Sequence, residues 1–275
     1  MVRGLLYSKP NFWGEIMSVT LDLNSASLKG RVSEEEWQTR VDLAAAYRLA
    51  SLYSWDTTLI YNHISARVPG TEDFLLNPFG LRWDEVTASN LVKVDMDGNI
   101  LDDTSFIINQ AGYVIHSAIH AAREDVGCVL HTHTEAGIAV SCLEDGLLFT
   151  SQTTMSFYGK TAYHDYEGIA LDLDERERLV RDLGNNSVMI LRNHGLLTTG
   201  KNVTQAWIRM YTLEKACSTQ LKLLAAAAAS GQKIRYLSRE VSEHTSDQQN
   251  QDWFGVYEWP ALIRQLDDVT TDYKK

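Results

Sequence analysis

Two histidines one residue apart, His131 and His133, follow the short apolar run Cys128-Val129-Leu130. Side chains alternate along a strand, so residues i and i+2 share a face. Two imidazoles on one face at a strand end can turn toward a common cation if the backbone bends there. Alone, the pair is weak evidence, because two nearby surface histidines also arise by chance. A third histidine stands in Asn193-His194-Gly195, just past a second apolar run at 188–191. The glycine behind it permits a tight turn or a close backbone approach. Three histidines at the mouths of buried strands suit a three-imidazole zinc site with an open fourth position. Nickel, cobalt and iron accept the same donors.

The elements that must carry these residues are legible as changes of period. Ser33 followed by Glu34, Glu35 and Glu36 reads as a helix cap with acids in the first turn. Apolar residues three or four apart, from Trp37 to Leu52, continue that helix. Residues 59–68 predict a strand closed by Pro69-Gly70, and Phe74 to Asn77 a second one. Residues 91–95 and Ile100-Leu101 flank Asp97-Gly98-Asn99, a hairpin signal. Helices are expected over 111–122, 134–142 and 203–230, with strands at 128–130 and 187–191. This mixture predicts an α/β protein, a single-domain α/β/α layered fold whose first strands form an antiparallel meander. The expected organisation is an N-terminal arm at 1–32, the domain at 33–230, and a C-terminal extension at 231–275 that packs on the domain or on a neighbouring subunit.

Composition removes several functions. The 275 residues carry a formal net charge of -11, which opposes general nucleic-acid binding. No apolar run approaches the roughly 20 residues that span a bilayer, and no secretory signal is evident. Neither nucleic acid nor membrane is an expected partner. Three cysteines, Cys128, Cys142 and Cys217, fit no disulfide framework or zinc-finger spacing, so a cytoplasmic setting is expected. No phosphate-cradling glycine loop appears, which leaves nucleotide binding without support.

Several separated motifs resemble the class II aldolase/adducin family. They are Asn109-Gln110-Ala111-Gly112-Tyr113 through Arg123, Val129-Leu130-His131-Thr132-His133, Ala162-Tyr163-His164-Asp165-Tyr166-Glu167-Gly168 and Leu191-Arg192-Asn193-His194-Gly195. The similarity spans about residues 38–230 and is nearest to the adducin head branch. It implies a central, mainly antiparallel sheet between helical layers, zinc ligation by His131, His133 and His194, and a homotetramer with active sites between subunits. It also implies Lewis-acid catalysis through a metal-stabilised enolate.

One departure changes the expected chemistry. The family's acid/base glutamate falls on Gly112, and a glycine moves no proton. The serine pair that helps hold a substrate phosphate falls on Gln110-Ala111, and the family's Gly-Asn on Asn62-His63. Ordinary sugar-phosphate cleavage is therefore not expected. His116, one helical turn beyond Gly112, is a candidate acid/base; the bland alternative is a helix histidine bonded to a neighbour. Glu135 is a second candidate, at or behind the metal, unless it merely favours a helix N-terminus. Asn62, His63, Asn77, Gly80 and Gln110 are candidate substrate-binding residues. His120 reads as structural, and so does the Tyr163-His164-Asp165 cluster. The resulting expectation is a metal-dependent aldolase- or decarboxylase-type lyase for a small oxo- or hydroxy-acid or carbonyl compound. The alternative is a non-catalytic adducin-head-like scaffold whose metal is structural.

Overall fold

Helix α1 (Glu34–Leu52) opens the domain in the computed structural model, which describes residues 26–168, 173–249 and 255–275. The Ser33 hydroxyl accepts the Glu36 N–H at 3.1 Å, and three glutamates in the first turn oppose the helix dipole. A meander follows: β1 (His63–Arg67), β2 (Phe74–Leu76) and β3 (Val92–Val94). Helix α2 (Gln110–Ala122), capped by Asn109, leads into β4 (Cys128–Thr132) and α3 (Glu135–Ser141). Next come α4 (Gln152–Met155), β5 (Thr161–His164), α5 (Leu173–Leu183), β6 (Val188–Leu191) and β7 (Gly195–Gly200). The long α6 (Val203–Ser230), α7 (Arg239–Gln249) and α8 (Glu258–Asp267) complete the chain.

The strands form one seven-stranded sheet in the order β3-β2-β1-β4-β7-β6-β5. Every pairing is antiparallel except β5 with β6. Helices cover both faces. α1, α3 and α6 enclose the larger core, built from Leu43, Leu49, Ile64, Leu130, Ile190 and Trp207 among others. α2 and α5 cover the opposite face over Ile119, Val129, Met189 and Leu197. Burying both faces of a sheet that one α/β chain must fold around gives the expected three layers. Arg40 locks α1 to the sheet edge: fully buried, it forks onto both oxygens of Asp102 (3.1 and 3.0 Å), binds Glu36 (2.9 Å) and reaches the Leu91 carbonyl (2.9 Å). A buried cation is tolerable when its donors are matched in this way.

Two details differ from the sequence-based expectation. The strand expected from Leu59 begins only at His63, because residues 57–60 turn instead and Leu59 takes φ +60. Hydrogen bonds from Thr57 and Thr58 to His133 hold that turn, and they override the local β preference of Leu59-Ile60-Tyr61. The short parallel edge strand β5 forms where the sequence pattern marks no strand. Its four residues alternate between half-buried and buried, too short a pattern to stand out from a polar neighbourhood.

Residues 1–25 of the expected N-terminal arm lie outside the described residues. Of the C-terminal segment, α8 packs on α1, where the Trp259 indole N–H donates to Asp42 (3.3 Å). The carbonyls of Tyr273 and Lys275 accept the N–H groups of Ala88 and Ser89 at 2.8 and 2.9 Å. Among the described residues, no helix is long and apolar enough to cross a membrane.

Candidate metal centre

The mouths of β4 and β7 place three imidazoles together. His131, next to last in β4, is paired on both sides, to His63 of β1 and to Leu197 of β7. His133 lies two residues on, where the chain leaves the sheet toward α3, and its N–H donates to Asn62 Oδ1 at 2.8 Å. His194 sits in the tight link between β6 and β7, behind Asn193 at φ +55. Gly195 makes that link possible: a Cβ there would stand 2.3 Å from the Thr132 carbonyl oxygen. Nε2 of His133 is 2.8 Å from Nε2 of His131 and 2.9 Å from Nε2 of His194.

The donor chemistry fits a divalent transition ion. His131 Nδ1 faces the Leu196 carbonyl at 2.9 Å. A carbonyl only accepts, so Nδ1 carries the hydrogen and Nε2 presents a bare lone pair to the other two rings. His133 Nδ1 is held by the Thr58 hydroxyl at 2.9 Å, the kind of outer contact that fixes a ligand imidazole in orientation. Burial, reinforced by the neighbouring histidines, holds the His131 ring well below the usual histidine range and lowers His133 to about 4. Burial followed by His164 also lowers His194. Neutral imidazoles are the form that binds a metal. His131 is fully buried while His133 and His194 are half-buried, so the trio has a closed back and an accessible front.

A second histidine group lies directly behind the first. His63 is 3% exposed, and its ring centroid is 5.0 Å from that of His131. Its Nδ1 meets His116 Nε2 at 2.8 Å; His116 Nδ1 meets Ser65 Oγ at 2.6 Å; Ser65 Oγ meets His120 Nε2 at 2.8 Å. Burial first, then neighbouring charge, lowers His63 and His120 to about 3 and holds His116 well below the usual histidine range. His116 has no exposed surface and both nitrogens engaged, so it stands behind His63 rather than in the cleft. The space over Gly112 belongs to His63: a Cβ on Gly112 would lie 2.7 Å from its Cδ2 and 2.9 Å from its Cγ.

The remaining candidates scatter. Asn62 is buried, with its carbonyl accepting the Trp83 indole N–H (3.3 Å) and its Oδ1 serving the His133 backbone. Asn77 is buried against the Tyr47 hydroxyl, 2.9 Å from Oδ1, and that hydroxyl accepts the Ile64 N–H at 2.6 Å. Gly80 turns the chain at φ +101. Gln110 is exposed at the start of α2, and Glu135 is exposed in the first turn of α3. His164 pairs not with its neighbour Asp165 but with Asp182 of α5, at 2.8 Å. Thr58 and Ser65 are site residues that the sequence does not single out. Ser65 had a signal, since it shares a strand face with His63. Thr58 had none, since nothing local marks a loop threonine that bonds a residue 75 positions away.

Residues 41–221 match the family model described as Class II Aldolase and Adducin N-terminal domain. The chain belongs to this family. A Pseudomonas aeruginosa protein named provisionally as a class 2 aldolase is 48% identical over 256 residues, covering 91% of this chain and 97% of that protein. Alpha-adducin from Rattus norvegicus is 43% identical over 84% of this chain, which spans 33% of the adducin. Among solved structures, an aldolase II superfamily protein from Pseudomonas syringae is 56% identical with a TM-score of 0.85, covering 91% of this chain and all of that one. An L-fuculose 1-phosphate aldolase from Glaciozyma antarctica is 28% identical with a TM-score of 0.77, covering 92% and 96%. Class II membership thus joins an aldolase-type scaffold to relatives whose names include both aldolases and adducins.

Proposed function

We propose that this protein is a metal-dependent carbon–carbon lyase of the aldolase or decarboxylase type, acting on a small oxo- or hydroxy-acid or carbonyl compound. The observation that carries the reading is the convergence of three neutral imidazoles, one with its lone pair fixed inward by the Leu196 carbonyl, at an accessible strand mouth. His131, His133 and His194 would hold zinc or another divalent transition ion, which when bound polarises a carbonyl and stabilises charge on its oxygen. Leu196 and Thr58 keep two of these rings in position. His63 supplies the polar wall nearest the trio, and His116 acts only through it. Glu135 is the exposed carboxylate proposed for the proton step. Gly112 offers no such group, which argues against sugar-phosphate cleavage through that position. A homotetramer in the cytoplasm completes the reading, supported by the family resemblance and by three free cysteines.

The test is metal content together with turnover. Purified protein should hold about one ion per chain, and it should release carbon dioxide or an aldehyde from some member of a panel of small oxo- and hydroxy-acids. Unchanged metal content in both His131→Ala and His194→Ala would remove the basis of the reading.

The 43% identity to alpha-adducin supports a second reading, an interaction module with a structural metal. The cobalt(II) form separates the two. An absorption change on adding azide marks an open coordination position and chemistry; a silent spectrum marks a closed, structural site.

A further inference from the structure

The His63–Gly112 contact sets what the metal centre accepts. Among the described residues, the hydrogen bonds of the four imidazoles of His63, His131, His133 and His194 go to Thr58, His116, the Leu196 carbonyl and one another, and none goes to a carboxylate. A divalent ion on three neutral ligands would leave this pocket with an uncompensated double positive charge, in surroundings where charge is expensive. A carboxylate on the ligand would supply negative charge there.

His63 is built to meet it. Its Nδ1 is committed to His116, and among the described residues its Nε2 has no hydrogen-bond partner. That free edge passes over Gly112, with Nε2 3.1 Å from where a Cβ would be. Only glycine at 112 leaves the ring this position, since real Cβ atoms do not approach ring carbons to 2.7 Å. The chain behind His63 can run in two directions, and one of them puts a hydrogen on Nε2. Read from His120, Nε2–H donates to Ser65 Oγ, the Ser65 hydroxyl donates to His116 Nδ1, and His116 Nε2–H donates to His63 Nδ1. The hydrogen of His63 then sits on Nε2, and no ring becomes charged. An anion beside Nε2 selects this direction of the chain.

We propose that His63, seated over Gly112 and aligned by the His116–Ser65–His120 chain, is the specificity-determining residue of the site: its Nε2–H binds the carboxylate of a small hydroxy- or oxo-acid held at the trio. The inference rests on the metal-centre reading given above and names its substrate class. His116 and Ser65 are positioning residues.

The experiment uses the zinc-loaded full chain and two probes, glycolate and its neutral amide, glycolamide, with binding read by calorimetry. Glycolate should bind at least ten-fold more tightly than glycolamide. His63→Asn should erase most of that preference with metal content unchanged. Gly112→Ala should do the same by displacing the ring. In the double variant, alanine at 112 should add little to the loss from His63→Asn, because the Cβ then meets no imidazole. His116→Gln should weaken the preference less than His63→Asn. Circular dichroism checks folding, and if His63→Asn is unfolded, Gly112→Ala carries the test. Equal binding of the two probes by the parent protein would overturn the inference, as would a full preference in the folded variants, or additive losses in the double. A parent chain that takes up no metal would instead sink the reading beneath it.

Discussion

Two groups of histidines lie back to back in this domain, and they are wired in opposite ways. In the front group, His131, His133 and His194 aim their Nε2 atoms at one point, and the outer nitrogens of the first two are pinned by Leu196 and Thr58. In the rear group, His63, His116 and His120 run in a line through Ser65, each member bonded to the next. Burial lowers the basicity of both. Convergence leaves lone pairs for an outside cation, whereas a line consumes them internally. The bonding pattern, rather than the number of histidines or their burial, separates a ligand set from a scaffold for one.

The largest effect that would sharpen this contrast is loss of metal. His131→Ala should abolish stoichiometric zinc, measured by elemental analysis, whereas His120→Phe in the rear group should retain it. Loss of metal from the rear variant alone would invert the comparison.

Acid should act next, through the rear group of the metal-free protein. His63 and His120 titrate at about 3 when folded, against 6.5 for an unperturbed histidine. Below pH 6.5 the unfolded chain therefore binds protons that the folded chain refuses. Stability is complete above pH 6.5 and is lost as pH falls toward 3, by up to about 1.4 kcal/mol per pH unit for each ring. Urea midpoints at about pH 7.5 and about pH 5 measure it, and His120→Phe should flatten the slope.

Smaller again is the Thr58 contact. Thr58→Val removes the hydroxyl that steadies His133, and zinc affinity should fall roughly 10–100-fold in a competition titration. The smallest effect lies outside both groups. Asp182→Asn loosens the partly exposed pair with His164 and should cost under about 1 kcal/mol in a urea titration, with metal content unchanged.

Much of this was legible in the amino-acid order because the signals are local. The spacing of His131 and His133 after an apolar run, and the glycine after His194, mark strand mouths. Period changes locate α1, α2, α6 and the meander. What escaped depends on contacts between distant residues. Thr58 reaches His133 across the sheet edge, and Leu196 offers a backbone oxygen that no residue type advertises. β5 is a four-residue edge strand whose partner β6 follows only after α5, and tertiary packing alone defines it. His116 shows the limit most clearly. Helical spacing puts it on the face of Gly112, but spacing does not reveal that His63 already fills the space between them.

The crowding of positions 63 and 112 also constrains how such a site can arise by descent. An imidazole at one and any side chain at the other compete for the same volume, so the two replacements cannot be accepted in either order. A lineage starting from a bulkier residue at 112 has to lose it first and pass through an ancestor with an emptied pocket. Only then does a histidine at 63 find room, and afterwards the glycine is trapped, since reversion would strike the ring that replaced it.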